Sequence, residues 1–464
     1  MAESTPMTVA VIGGGISGLV CAYRLQQLGM SVVLLEETER AGGLIGTARE
    51  DGFLFETGPQ SVQGTPALLD LIRDAGLDGE LCKADSRAPR YVLQRGRLQK
   101  IPMTPQALLT TSLLSVTSFW KIVSEMFRTT RPPDHEESVA AFVRRKFGNE
   151  ILEYLVAPFV SGVYAGDPEK LSLRAAFPSI EEWEREYGSV LRGAMKSRPA
   201  NGASKGSPPL ISFRQGLETL TQTLAAKLGA CARTGARADE VNRVTTSGTD
   251  GYQIRVTQAG QQETIAAQAV VLATPAYTAS RLVAPLSAPL AQMLSGVAYA
   301  AVAVVAGGYY TRQASGPIDG FGVLIPRAEK YRTPGTVWNS SLFPGRAGAG
   351  KFAMTSFAGG ATDPEMGDKP PKEIAAIVEM ENAKILEISG PPIASGVWKH
   401  PKALPQYNLG HGHVVEAIRD GERALPGLFF AGNYLQGPAI GKCVEQALQT
   451  ADAVNAYLRE PKPS

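Results

Sequence analysis

Apolar positions at the start of the chain alternate between unbroken runs and a helical period. Thr8 to Ile12 (TVAVI) is a short continuous run, GGGISG follows, and Ile16 to Leu28 carries its apolar residues at helical spacing until Gly29 interrupts it. Ser31 to Leu35 (SVVLL) is a second continuous run ending at Glu36. The pattern predicts a strand, a helix and a second strand. From 91 to 205 the period is helical. Leu109, Leu113, Val116, Trp120, Val123 and Phe127 recur at spacings of four and three, share one face, and are flanked by Lys121, Arg128 and Arg131. A second helical run covers Ser138 to Phe147, and KSRPANGASKGSPP reads as a loop or linker.

In the second half, ISFRQGLETLTQTLAAKL predicts a strand, a turn at Gly216 and a helix. Short strands follow at Glu240 to Val244, Tyr252 to Thr257 and Thr264 to Ala269, with a buried one at Val270 to Pro275 (VVLATP). Residues 297–306, 321–325, 336–341 and 351–357 predict a mixed sheet distinct from the first. LPGLFFAGNYLQGPAIGKCVEQALQTADAV returns to strand, glycine turn and helix.

Two uncharged stretches test as membrane spans and fail. Residues 101–120 are diluted by Ser, Thr, Gln106, Pro102 and Pro105, and 282–311 are broken by Pro285, Pro289, Gly296, Gly307 and Gly308. The apolar stripe at 109–127 suits either a helix packed in a helical subdomain or one lying on a membrane surface with snorkelling basic residues, and the two can coexist. The 464 residues are 44% hydrophobic and 19% charged, which excludes disorder and predicts two or three compact units. With 46 basic against 44 acidic residues there is no global field to capture nucleic acid. The leader MAESTP has the features of neither a signal nor a transit peptide, so a cytoplasmic location is expected. Cys21, Cys82, Cys231 and Cys443 form no CxxC pair, and no metal site is expected.

Gly13, Gly15 and Gly18 satisfy GxGxxG between the first strand and helix. Gly13 suits the tight turn, Gly15 lets backbone approach a pyrophosphate, and Gly18 allows close helix–strand packing. The helix start, at Ile16 and Ser17, offers unpaired N–H groups to phosphate. Glu36, at the end of the second strand, is placed to accept from ribose hydroxyls or to cap the next turn. Gly42 and Gly43, then Glu56 to Pro59 with Gly58, provide further backbone to lie against a dinucleotide. His411 and His413 in LGHGH lack a partner for base catalysis and read as structural or surface residues.

These glycine segments resemble the flavin-binding half of the amine-oxidase-like FAD superfamily, which selects FAD over NAD. Together with APRYVL at 88–93, SGVYAGDPEKLS at 161–172, GFGVLIP at 320–326, SLFPGR at 341–346, LPQYNLGH at 404–411 and AGNYLQG at 431–437, they make the chain similar to the protoporphyrinogen oxidase family over nearly its whole length. The resemblance implies an α/β fold with a discontinuous Rossmann-like FAD-binding domain (1–89, 206–283 and 412–464). It also implies a helical membrane-associating subdomain (90–205) and a mixed-sheet substrate domain (284–411).

Residue by residue, the resemblance implies that Arg90 pairs with a substrate propionate, that Phe357 stacks on a pyrrole, and that Leu324 and Val337 hold the opposite face. Val337 is smaller than the leucine usual at its position. Gly162, Tyr164 and Gly166 match a loop at the pocket. Gly432, Asn433 and Gly437 match a C-terminal flavin contact, Ala273 and Pro275 the phosphate edge, and Val241 a backbone contact to adenine. The implied reaction is oxidation of protoporphyrinogen IX with dioxygen as final acceptor, hydride passing to flavin N5 with no catalytic side chain. Coproporphyrinogen III is the alternative substrate; an amine oxidase or a non-catalytic flavin protein is more remote. Implied partners are the porphyrinogen, dioxygen, a peripheral contact at the cytoplasmic face of a membrane, and a second copy of the chain in a homodimer.

Overall fold

The computed structural model describes residues 8–102, 113–197, 208–246 and 249–460. The leader MAESTP, Leu109 of the apolar stripe and most of the linker at 196–209 lie outside these residues. Continuous apolar runs make strands buried on both faces, and they assemble the first sheet. Its five strands are all parallel, in the order Ala232–Arg233, Ser31–Leu35, Thr8–Ile12, Ala269–Leu272, Leu428–Phe430. One face packs Val9, Val11, Val32 and Leu34 against the helices Ile16–Gln27, Glu218–Leu228 and Ile440–Arg459. The other packs Ala10, Ile12, Val270 and Leu272 against an antiparallel three-stranded sheet, Ala236–Thr246, Thr249–Gln258 and Gln261–Ala267. The sheet therefore draws on the N-terminus, the middle and the C-terminus of the chain.

A second, seven-stranded mixed sheet runs Ala394–Pro405, Tyr299–Tyr310, Lys351–Gly359, Gly335–Val337, Gly322–Leu324, Arg90–Gln94, Arg97–Lys100. Its last two strands correct the expected division at residue 90. The apolar Tyr91, Val92 and Leu93 pair in parallel with Gly322–Leu324, so 90–100 belongs to this sheet and not to the helical part. The strand expected at 336–341 is shorter: it ends at Val337, and Asn339–Leu342 turns into a helix with Trp338 buried at the junction.

The helical part packs Val139, Phe142, Val143, Ile151, Leu152, Val160 and Tyr164 into its own core. The loop expected around Gly162 and Tyr164 is instead the helix Ala157–Tyr164, which Ala165 ends in the left-handed conformation with φ 46°. The helix Val116–Glu125 buries its Glu125 end but leaves Val116 (72%), Trp120 (63%) and nearby Phe127 (79%) exposed, while Leu113 is buried. No helix among the described residues is long and apolar enough to cross a membrane.

Candidate active site

One cavity of about 1880 Å³ runs between the parallel sheet and the mixed sheet. Pockets for a single drug-sized ligand occupy roughly 300–1,000 Å³, so this one has room for two large molecules side by side. Its first half is built on the strand–helix turn. Gly13 adopts φ +108°, and a Cβ there would lie 2.7 Å from the Ala273 carbonyl oxygen. A Cβ on Gly18 would lie 1.8 Å from the Gly13 oxygen, so Gly18 sits behind the lining and holds the helix against the strand. A Cβ on Gly15 would meet nothing within 4 Å. The helix beginning at Ile16 has no side-chain cap, so its first N–H groups and its positive dipole end face this open space.

Glu36 caps the turn and lines the cavity. Its Oε1 accepts from the N–H and Oγ1 of Thr38 at 2.9 and 2.7 Å, capping the turn. Its Oε2 accepts from the Gly14 N–H at 2.7 Å and keeps a lone pair free towards the cavity. Ile16, Ser17, Gly42, Gly43, Gly58, Ala273, Pro275, Gly432, Asn433 and Gly437 also line it. Val241, expected to touch adenine through its backbone, is not among the lining residues; the same strand reaches the cavity through Ala236, Arg237 and Ala238.

Two residues that organise this half were not singled out from sequence. Arg40 donates to the carbonyls of Ile45 and Gly43 at 2.7 and 2.8 Å and to Glu218 at 3.1 Å, which shapes the glycine-pair loop. The buried Tyr407 hydroxyl donates to the Asn433 carbonyl at 2.6 Å and accepts from the Gly437 N–H at 2.7 Å, setting the C-terminal turn. Burial pushes its pKa well up, so it stays a neutral phenol. Position in LPQYN was the only signal available for it. His411 is buried, with Nε2 2.8 Å from the Tyr434 carbonyl, and burial lowers its pKa; His413 is exposed. Both have the structural or surface settings read from their surroundings.

The second half of the cavity lies against the mixed sheet, whose pleat brings together residues far apart in sequence. Leu324, Gly335, Phe357 and Val304 lie in one cross-strand row, and Arg90, Gly322 and Val337 in the next. All of them line the cavity. Three strand spacings separate the Arg90 strand from the Phe357 strand, about 14 Å at ~4.8 Å each. Opposite stand Phe159, Gly162, Val163, Phe177 and Ile180. Gly166 does not line the cavity; a Cβ there would meet Gln406 Oε1 at 3.0 Å, behind Tyr164.

The lining is mostly apolar, and its cations differ in what they meet. Arg237 is paired with Asp239 at 2.7 Å, Lys442 with Glu445 at 2.8 Å, Lys402 lies 4.1 Å over the Tyr277 ring, and Arg281 donates to the Ala238 and Asp239 carbonyls. Arg90 stacks 5.1 Å over Phe321 and, like Lys402 and Arg281, has no carboxylate partner among the described residues.

The family model for flavin containing amine oxidoreductases matches residues 16–455. The chain belongs to that family. It is 34% identical over 470 residues to the chloroplastic protoporphyrinogen oxidase of Nicotiana tabacum, covering 97% of this chain and 85% of that one. It is 26% identical over 470 residues to the coproporphyrinogen III oxidase of Bacillus subtilis (strain 168), covering 97% and 98%. A crystal structure from Exiguobacterium sp. 255-15 has the same fold, with TM-score 0.82 at 24% identity over 99% of this chain and 100% of that one. The protein is a flavin-dependent oxidoreductase and its cofactor is FAD. The uncapped helix start, the open space before Gly15 and the free lone pair of Glu36 fit the pyrophosphate and ribose of that dinucleotide.

Proposed function

We propose that this protein oxidises protoporphyrinogen IX to protoporphyrin IX, with FAD as the immediate and dioxygen as the final electron acceptor. The observation that carries the reading is the slot: a broad apolar face with Arg90, which has no carboxylate partner among the described residues, at one edge, continuous with a dinucleotide cradle. A guanidinium binds a carboxylate bidentately and orients the flat molecule attached to it. Phe357 offers a ring face, and Leu324, Val337 and Val304 an aliphatic floor. FAD bound beside the slot supplies a two-electron acceptor that takes hydride from a bridging carbon. That hydrogen is hydridic because the flanking pyrroles delocalise positive charge, so the protein needs to position the carbon and exclude water, not to supply a strong base. Three such oxidations yield the porphyrin.

The second reading is coproporphyrinogen III, favoured by the Bacillus relative. That substrate carries four propionates where protoporphyrinogen carries two propionates and two vinyls. The two cross-strand rows of the slot offer Arg90 among apolar residues, which suits the smaller charge, since each desolvated, unpaired carboxylate is costly. Oxygen consumption by the flavin-replete protein tests the reading; none with either porphyrinogen would overturn it.

We further infer that the exposed face of Val116, Trp120 and Phe127, flanked by Lys121 and Arg128, rests on the cytoplasmic face of a membrane as a peripheral contact. On this reading the helical part is a membrane-associating subdomain.

A further inference from the structure

Residues 54–60 run from a small hairpin into the cavity wall and carry polar links between the cofactor half and the mixed sheet. The Leu54 N–H donates to the Arg346 carbonyl at 3.1 Å, the Thr57 carbonyl lies 2.7 Å from His400 Nε2, and Asn339 Nδ2 donates to Gln60 Oε1 at 2.7 Å. At the centre, the Arg346 guanidinium meets Glu56 Oε1 at 3.2 Å and donates to Ser212 Oγ at 2.6 Å and the Phe213 carbonyl at 3.2 Å. The two side chains are 1% and 0% exposed.

The contacts continue towards the cofactor wall. Glu56 also accepts from Thr47 Oγ1 at 2.7 Å and from the Leu217 N–H at 3.0 Å. The next residue, Glu218, accepts from the Thr47 N–H and from Arg40, each at 3.1 Å, and Arg40 holds the carbonyls of Gly43 and Ile45. A chain of polar contacts, buried at Arg346 and Glu56 and half-exposed at Arg40, thus leads from the segment just before the Phe357 strand to the glycine-pair loop. A buried ion pair is a weak stabilising device, because desolvation offsets most of its attraction and apolar replacement of both partners is often neutral. Here the contact is a single one, and Arg346 Nε has no hydrogen-bond partner. Stability alone does not account for it.

We propose that Arg346, acting through Glu56, is a positioning residue: it fixes the mixed sheet, and with it Phe357, against the loop on which the cofactor lies. The substrate in this inference rests on the porphyrinogen reading; the geometry does not. Hydride transfer tolerates little error, since a misplacement of about 1 Å can cost roughly 10²-fold in rate.

The test compares Arg346→Met, Arg346→Lys and the double variant Glu56→Gln/Arg346→Met with wild type at saturating FAD. Arg346→Met alone strands a buried carboxylate and lowers Tm, and the double variant regains Tm. With protoporphyrinogen, the regained double variant keeps kcat reduced by roughly 10-fold or more while KM stays within about 2-fold, and Arg346→Lys recovers part of the rate. The visible circular dichroism of its bound flavin differs from wild type. If kcat and the dichroism both return to wild type together with Tm, the pair is structural only and the proposal falls. If the wild-type protein turns over no porphyrinogen, the substrate reading has failed and the dichroism alone decides: an altered band upholds the positioning role, an unaltered one overturns it. Should the double variant not refold, the same two readouts on Arg346→Lys decide in the same way.

Discussion

Gly15 and Gly18 occupy the same turn, yet a side chain at each fails for a different reason. At Gly18 the Cβ would strike the Gly13 carbonyl at 1.8 Å, so substitution damages the fold itself. At Gly15 the Cβ meets only open space, so Gly15→Val should fold with an unchanged Tm as apoprotein and bind no FAD, because its side chain occupies the pyrophosphate path. Flavin released on denaturation measures this. In the slot, Arg90→Ala removes a charge-assisted contact worth ~2–5 kcal/mol if the propionate is desolvated, and the loss should fall on KM. On the proposed binding mode Phe357→Ala removes about 0.5–1.5 kcal/mol of ring contact beyond area, and kcat should fall as well, since that mode has the ring fix which bridging carbon faces the flavin. Both variants should remain fully yellow, and steady-state kinetics with protoporphyrinogen separates the two patterns.

Among the elements, the helix Val116–Glu125 has opposite requirements at its two ends. Its exposed residues should be replaceable without loss of stability, so Trp120→Glu/Phe127→Glu should keep Tm and lose co-sedimentation with anionic vesicles; retained binding would remove the membrane reading. Its buried Glu125 meets Lys146 at 3.2 Å, and Lys146 meets Glu184 at 2.9 Å. Burial alone would raise the pKa of Glu184, but hydrogen bonds from Arg145, Thr130 and Lys146 lower it from 4.5 to about 2. A carboxylate lowered in the folded state contributes stability above its unfolded pKa and loses it as pH falls towards the folded one. Urea midpoints should therefore drop between pH 4.5 and about 2, and this drop should shrink in Glu184→Gln.

What sequence revealed among these elements follows from locality. The strands at 8–12, 31–35 and 269–272 bury most of their apolar residues and so read as unbroken apolar runs, and the glycines between them mark turns that few other residues can make. The hairpin at 90–100 was assigned to the wrong part because its partner, Gly322–Leu324, lies far along the chain. The helix Ala157–Tyr164 looked like a turn because of its glycine and the following GDP, and core packing at Val160 and Tyr164 overrides that local signal. Gly166 directly follows Ala165, which lines the cavity, and Val241 lies three residues along its strand from the lining Ala238. The Glu56–Arg346 contact spans 290 residues, and no local pattern announces it.

At the scale of the molecule, the cavity exists only because the parallel sheet and the mixed sheet face each other, one holding the dinucleotide and the other a flat apolar floor. Substrate choice then depends on how many carboxylates that floor can pair. The most direct measurement follows porphyrin fluorescence from the FAD-replete protein under air and under anaerobic conditions, with protoporphyrinogen IX and coproporphyrinogen III side by side. The slot with Arg90 at its edge predicts sustained turnover under air, a single burst without oxygen, and a higher kcat/KM for protoporphyrinogen. A higher kcat/KM for coproporphyrinogen, or no fluorescence above the spontaneous rate with either, would contradict it.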